Sequence, residues 1–326
     1  MKFTRRYFDP ALMSGASVDA DGTITSGSGA GPGDVYVYTP KVVLAVNIAL
    51  ATRRPLLISG EPGSGKTTLA RNVANVLGWS FFKETVTSRT RASDLLWTFD
   101  MLRRLNDAQS PGQLQDRRHY VEPGTLWWAF DPVSAPNRGN GPPLPPEAQA
   151  VNPGSLPRDA PPAAVTRAVV LVDEIDKADP DVPNDLLEPF DIGEFTVKDT
   201  ADRIRRTREG TLLVLTTNGE RELPPAFVRR CVTLSLVDEP TEEWFLKIAR
   251  RRYEGDDSTM SAVAREVLEW RKTARAAGVR RPGTAEFLDA YLACRELGID
   301  RDSDAWQQVA RSVLWKQEKE PPSQDG

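Results

Sequence analysis

The stretch Pro55-Leu56-Leu57-Ile58-Ser59-Gly60-Glu61-Pro62-Gly63-Ser64-Gly65-Lys66-Thr67-Thr68 constrains the fold of this chain more than any other. An apolar run of strand length stops at Gly60, a loop with two further glycines follows, and Leu69, Val73, Val76 and Leu77 then recur at helical spacing. Gly60, Gly65, Lys66 and Thr67 fit G-x-x-x-x-G-K-[ST], the pattern of a phosphate-binding loop. A polyphosphate nests against successive backbone N–H groups, and glycines allow the required dihedrals with no Cβ in the way. The helix behind the loop directs its unpaired N–H groups and positive dipole end at the same anion. Lys66 is placed to reach the β- and γ-phosphates, and the Thr67 hydroxyl to ligand Mg²⁺. A glycine-rich turn that merely precedes Lys-Thr lacks this strand-loop-helix setting. Residues Gly60 to Thr68, with Glu61, Pro62, Gly63 and Ser64 among them, are therefore the expected seat of a nucleoside triphosphate.

A chain of 326 residues has room for about two domains and a sizeable core. Its formal net charge of −4 argues against a general nucleic-acid binder, whose domain is usually basic. Cys231 and Cys294 are the only cysteines, too few for a disulfide framework or a thiolate metal site. No apolar run approaches the roughly 18 residues needed to span a bilayer. Met1 to Ala20 lacks the continuous apolar core of a signal peptide, so the expected location is cytoplasmic.

Residues 1–34 read as a flexible N-terminal arm, because Ser14 to Gly33 is mostly Gly, Ser, Ala and Asp. Within it, Phe3 to Phe8 either docks on a folded surface or frays. Tyr36, Tyr38 and Pro40 lead into a helix through Val42, Ala45 and Ile48, and Tyr36 to Val42 is expected either beside the base of the nucleotide or packed in the core. Ser80 to Val86 reads as a strand. Thr87 to Gln109 reads as a helix carrying Leu95, Leu96, Trp97, Phe99, Met101, Leu102 and Leu105. Pro123-Gly124 marks a turn before an aromatic helix start, and Trp127 and Trp128 need a home in the core or against another subunit. Residues 131–165 form an insert punctuated by ten prolines, which predicts a flexible loop of partly polyproline character and not a folded module.

Order resumes at Ala168-Val169-Val170-Leu171-Val172-Asp173-Glu174, a buried strand that ends in two acids. Asp173 can hold Mg²⁺ through its water shell, and Glu174, one residue on, can polarise an attacking water as general base. Asp176, Asp179 and Asp181 lack the glycine and the context of a calcium loop. A second apolar strand, Leu212 to Thr216, ends in Thr217-Asn218. Asn218 either positions the water or the γ-phosphate, or turns a hairpin with Gly219. No partner strand follows for a hairpin, which favours the first role. Ala226 to Arg230 is a helical turn carrying Arg229 and Arg230, and Cys231 to Leu236 is the last strand. Four helices occupy 237–318, and 319–326 is a charged tail.

Taken in this order, the motifs resemble those of AAA+ ATPases. The signals are Gly60 to Thr67, Val172 to Lys177, Thr217-Asn218, and Leu223 to Cys231, and the resemblance covers about residues 40–318. Asp179 to Glu188 and the surroundings of Pro123-Gly124 are most similar to the MoxR-like branch, related to dynein-type modules. The resemblance implies an α/β P-loop NTPase fold, a three-layer αβα domain over residues 35–236 with a parallel 5-1-4-3-2 sheet. It also implies a small C-terminal helical lid and assembly into a hexameric ring. ATP and Mg²⁺ are the implied cofactors. Lys66 and Thr67 match Walker A, Asp173 and Glu174 match Walker B, and Asn218 matches sensor 1. The arginine finger would fall on Arg230, with Arg229 as second candidate, and sensor 2 on Arg281, with Arg280 as its alternative. The implied activity is ATP hydrolysis at subunit interfaces to remodel or activate a protein partner, such as a von Willebrand factor A-domain protein. An ATP-gated oligomeric scaffold that hydrolyses slowly is the competing reading. The insert at 131–165 and the Arg280-Arg281-Pro282-Gly283 sequence depart from the branch's usual pattern.

Overall fold

Five apolar runs become one sheet: β1 (Leu56–Ser59), β2 (Ser80–Thr85), β3 (Ala168–Asp173), β4 (Thr211–Thr217) and β5 (Val232–Ser235). Their lateral order is β5-β1-β4-β3-β2. β3 runs parallel to both neighbours, with Val169 opposite Leu212 on one side and Phe81 on the other. At the far edge the Val232 N–H donates to Pro55 O and the Leu236 N–H to Ser59 O, so β5 is parallel to β1. Every residue of β3 is buried. That explains its unbroken apolar run, since a parallel strand covered on both faces has no polar side to alternate with. The expected 5-1-4-3-2 parallel sheet is present, and helices follow it at the C-terminal end of the chain.

The computed structural model describes residues 6–13, 15–27, 34–110, 114–155, 167–207, 210–236, 240–255, 257–299 and 303–315. The chain forms two units, one of Met1–Leu44, Ser59–Asn72 and Ser235–Gly326, the other of Ala45–Ile58 and Val73–Leu234.

In the second unit the sheet packs on an aromatic core. Trp127 is fully buried and Trp128 nearly so, which gives both tryptophans a home inside this chain. Trp97 stacks on Phe195 with ring centroids 5.8 Å apart. The single helix expected over 87–109 is not formed. The chain makes a short 3₁₀ turn at Ala92–Leu95, then a strand at Trp97–Phe99 paired antiparallel with Val121–Pro123, and a helix only at Met101–Gln109. Asp100 is the reason for the late start, because its carboxylate accepts the Arg103 N–H at 2.8 Å and caps the helix there. Glu194–Val197 and Asp202–Arg205 pair as an antiparallel hairpin.

Residues 131–155 of the proline-rich insert are held to this core, a correction to the expected loose loop. Trp127 Nε1 donates to Ser134 Oγ at 2.9 Å, and the Arg138 guanidinium donates to Ala148 O at 2.9 Å and to Val121 O. Ser155 and Phe81 exchange two backbone hydrogen bonds of 2.9 Å. The prolines leave short turns such as the 3₁₀ turn Pro146–Ala148, and side-chain donors satisfy backbone carbonyls there. The remainder of the insert, 156–166, lies outside the described residues.

The other unit begins where a flexible arm was expected. Ser17–Val18 pairs antiparallel with Ile24–Ser26, which pairs with Tyr36–Tyr38. Buried Asn72 ties this small sheet to the phosphate-loop helix, its Oδ1 accepting from Ser26 Oγ at 2.8 Å and Tyr38 OH at 2.7 Å. Phe8 is buried against Tyr38, with centroids 5.4 Å apart. The stretch is poor in large apolar residues, and its ordering comes from backbone pairing, the polar anchors on Asn72 and the Phe8–Tyr38 contact. The same unit holds the helices Glu242–Arg252, Asp257–Ala276, Thr284–Leu297 and Asp304–Val309. Thr241 and Ser303 cap two of them by accepting the N–H of Trp244 and Trp306. Phe245, Phe287, Tyr291 and Trp306 fill the core between them. The expected tail at 319–326 lies outside the described residues.

Candidate nucleotide-binding and hydrolysis site

The loop after β1 has the geometry of an anion cradle. Gly63 and Gly65 sit at φ +81° and +89°, a region that side chains strain to enter. A Cβ at Gly60 would lie 2.9 Å from Ser64 Oγ and 3.2 Å from Leu236 O, so a side chain at the first glycine would crowd the loop. The helix Lys66–Leu77 starts immediately behind the loop. Lys66 is buried, and its ammonium donates to the carbonyls of Gly60 at 2.7 Å and Glu61 at 2.9 Å. Ser64 Oγ is buried with no hydrogen-bond partner among the described residues. An orphaned hydroxyl, a lysine folded onto its own loop and a glycine-lined backbone together fit a polyphosphate.

Beside this loop, in the same unit, lies an open cleft of about 680 Å³, solvent at its mouth included. Tyr36, Thr39, Val42, Trp244, Arg271 and Arg281 line it together with Glu61 and Pro62 of the loop. Tyr36, Thr39 and Val42, from the stretch expected near the base, line this cleft. Arg281 Nε donates to Glu61 Oε1 at 2.8 Å, and Arg271 Nη2 lies 3.7 Å from Glu61 Oε2. Arg271 is buried and also donates to Pro282 O at 2.6 Å, which braces the chain break before the third helix of this unit. Arg280 turns instead to Glu286, 2.7 Å away. Glu286 is buried and accepts the Gly283 N–H at 2.9 Å, and a Cβ on Gly63 would stand 3.0 Å from its carboxylate. Arg271 and Glu286 escaped the sequence reading, since nothing local sets them apart from other charged residues on a helix.

The acids at the end of β3 form a second cluster, in the other unit. Asp173 is buried, its Oδ1 accepting from Thr216 Oγ1 at 2.5 Å and its Oδ2 paired with Lys83 Nζ at 2.9 Å. Glu174 adopts φ 62°, ψ 47°, a left-handed conformation costing a non-glycine residue about 1–2 kcal/mol. Three hydrogen bonds hold it there. Its N–H donates to Thr216 Oγ1 at 2.9 Å, while Asn218 Nδ2 donates to Oε1 at 3.2 Å and Lys177 Nζ to Oε2 at 2.9 Å. The bond to Glu174 raises the Lys177 ammonium above its ordinary range. Asp176 fixes the loop after β4, its Oδ2 accepting the N–H groups of Asn218 at 3.2 Å and Glu220 at 2.9 Å. Asp173, Glu174 and Asn218 are therefore brought together, and Asn218-Gly219 turns no hairpin. Lys83, Lys177 and Thr216 complete the cluster. Only the hydroxyl of Thr216 at the end of an apolar strand could have signalled its part.

Arg229 and Arg230 are exposed after the short helix Pro225–Val228. Arg54 Nη2 donates to Arg229 O at 2.5 Å and tethers this corner to the start of β1. Neither arginine reaches Asp173 or Glu174 among the contacts of the described residues.

A parallel sheet in 5-1-4-3-2 order, with a glycine-rich anion cradle after its first strand, defines an α/β P-loop nucleotide-binding domain. The chain belongs to the AAA domain family, dynein-related subfamily, whose sequence profile matches residues 55–231. Membership implies ATP binding, and members of the family typically assemble as oligomers. Among solved structures, that of a candidate ATPase from Cytophaga hutchinsonii is 17% identical, covering 82% of this chain and 78% of that one at a TM-score of 0.39. A variant of RuvB from Thermotoga maritima is also 17% identical, covering 83% of this chain and 68% of that one at a TM-score of 0.43. At these scores the fold assignment rests on the sheet order and the family match. No curated protein sequence matches this chain. No described helix is long and apolar enough to cross a membrane.

Proposed function

We propose that this chain is an ATPase whose output is the remodelling or activation of a protein partner. The observation that carries the reading is the placement of Glu174 beside Asp173, with its carboxylate held by Asn218 and Lys177. Lys66, Ser64 and the loop N–H groups bind the phosphates. Thr67 and Asp173 are the residues that would hold Mg²⁺, which when bound neutralises charge on the β- and γ-phosphates. Glu174 takes a proton from the attacking water, and Asn218 keeps its carboxylate aimed. Arg281 and Arg271 are the cleft's cations for the nucleotide. Arg230, with Arg229 beside it, serves the site of a neighbouring subunit in a homo-oligomeric ring, six subunits in the reading taken from the resemblance. The partner is a protein substrate or effector, of which a von Willebrand factor A-domain protein is one candidate, and the setting is cytoplasmic. The domain limits that go with this reading are 35–236 for the nucleotide-binding domain and 237–318 for the lid.

A slower, ATP-gated scaffold is the second reading, and one observation favours it. Each carboxylate oxygen of Glu174 already accepts a hydrogen bond, from Asn218 or Lys177, which leaves fewer acceptor sites for an attacking water. Turnover per subunit against protein concentration, with sizing in ATP, separates the two. The motor reading expects turnover that rises with assembly and is lost in Arg230→Ala. Full turnover by a monomer, indifferent to Arg230→Ala, would refute the shared site. Rings that form with ATP yet barely turn over would favour the scaffold.

A further inference from the structure

We propose that Thr216 is a positioning residue that aligns both acids of the hydrolysis site through a single hydroxyl. The inference deepens the ATPase reading and rests on it. Thr216 is fully buried near the end of β4, one place beyond the pairing of Leu215 with Val172. That register sets it beside Asp173 on the adjacent strand. Valine fills the same volume, so packing alone does not call for a hydroxyl there. A hydroxyl has one hydrogen to donate and lone pairs to accept. Here the hydrogen goes to Asp173 Oδ1 at 2.5 Å, and a lone pair takes the Glu174 N–H at 2.9 Å.

The two contacts do different things. The first turns the Asp173 carboxylate, whose other oxygen faces Lys83. The second pins the backbone of Glu174 in its left-handed conformation, at φ 62° and ψ 47°. Asn218, two residues further along the chain, holds the carboxylate of the same glutamate. The end of β4 thus grips Glu174 at both its backbone and its side chain. Without the hydroxyl, the Glu174 N–H loses its acceptor and Asp173 loses a donor, while the phosphate loop is unaltered.

The test compares wild type, Thr216→Val and Thr216→Ser by three readouts. These are kcat and KM for Mg-ATP, affinity for a fluorescent ATP analogue, and hydrogen exchange at the Glu174 amide. Thr216→Val should bind the analogue within about twofold of wild type, lose about tenfold or more in kcat, and exchange the Glu174 amide faster. Thr216→Ser should recover most of the loss in both kcat and amide protection. Unchanged kcat with an unchanged Glu174 amide in Thr216→Val would overturn the proposal, as would failure of Thr216→Ser to recover either. Should Thr216→Val not fold, Thr216→Ala is compared with Thr216→Ser in its place. If wild type hydrolyses no ATP, the ATPase reading fails, and amide exchange in the same proteins still decides whether Thr216 pins Glu174.

Discussion

Replacing Glu61 by glutamine should tighten nucleotide binding, although Glu61 belongs to the phosphate loop. Its carboxylate engages Arg281 through Nε at 2.8 Å and stands 3.7 Å from Arg271. On the proposed binding mode, a triphosphate in the adjoining cleft would compete with Glu61 for the same guanidinium groups. The Glu61 and Arg281 side chains are 38% and 20% exposed, so solvent screens the pair. A partly exposed pair of this kind contributes about 1 kcal/mol. Releasing Arg281 from it costs the nucleotide that amount, equivalent to about fivefold in Kd. Glu61→Gln keeps the size and removes the competing charge, so Kd for a fluorescent ATP analogue should fall by about that factor. Arg281→Ala should weaken binding, and in the double variant Glu61→Gln with Arg281→Ala the gain should vanish. A gain that persists without Arg281, or weaker binding in Glu61→Gln alone, would refute the competition.

Trp127→Ala removes a fully buried indole whose N–H donates to Ser134, and should lower unfolding stability by about 3–5 kcal/mol in a denaturant titration; a loss under about 1 kcal/mol would mean the aromatic core is not where the stability of its unit resides. Tyr38→Phe deletes a donor to buried Asn72, for an expected loss of about 1 kcal/mol, and no change would show that the N-terminal strands are not anchored there. Burial holds the Tyr36 and Tyr38 phenols well above their usual range and pushes the Cys231 thiol up to about 12. With folded values raised, this stabilisation is complete below the ordinary thiol and phenol values and lost as pH rises through and beyond them. Melting temperature should therefore fall steeply above about pH 10, and less so in Tyr36→Phe; a flat profile in wild type would contradict the burial.

What was legible in the sequence was what the backbone states locally. β3 announces itself because a strand buried on both faces must be apolar throughout, and it ends at the two acids. The phosphate loop announces itself because two left-handed positions and one crowded position favour glycine at fixed spacing. The 97–99 strand was hidden because Leu95, Phe99 and Leu102 happen to recur at helical spacing, while the Asp100 cap that delays the helix is a single residue. Contacts between distant positions left no trace. Glu61 and Arg281 are far apart in the chain, and Thr216 meets Asp173 only through the register of neighbouring strands. The N-terminal strands went unread because backbone pairing, polar anchors to Asn72 and the Phe8–Tyr38 contact, not apolar periodicity, hold them.

The central claim is that Glu174 drives hydrolysis of ATP bound at the phosphate loop. The direct measurement is the chemical state of nucleotide retained after brief incubation with Mg-ATP and removal of the excess, for wild type and Glu174→Gln. The account predicts ADP on wild type and intact ATP, at equal or greater occupancy, on Glu174→Gln. ADP on both proteins in equal amount, or no retained nucleotide on either, would contradict it.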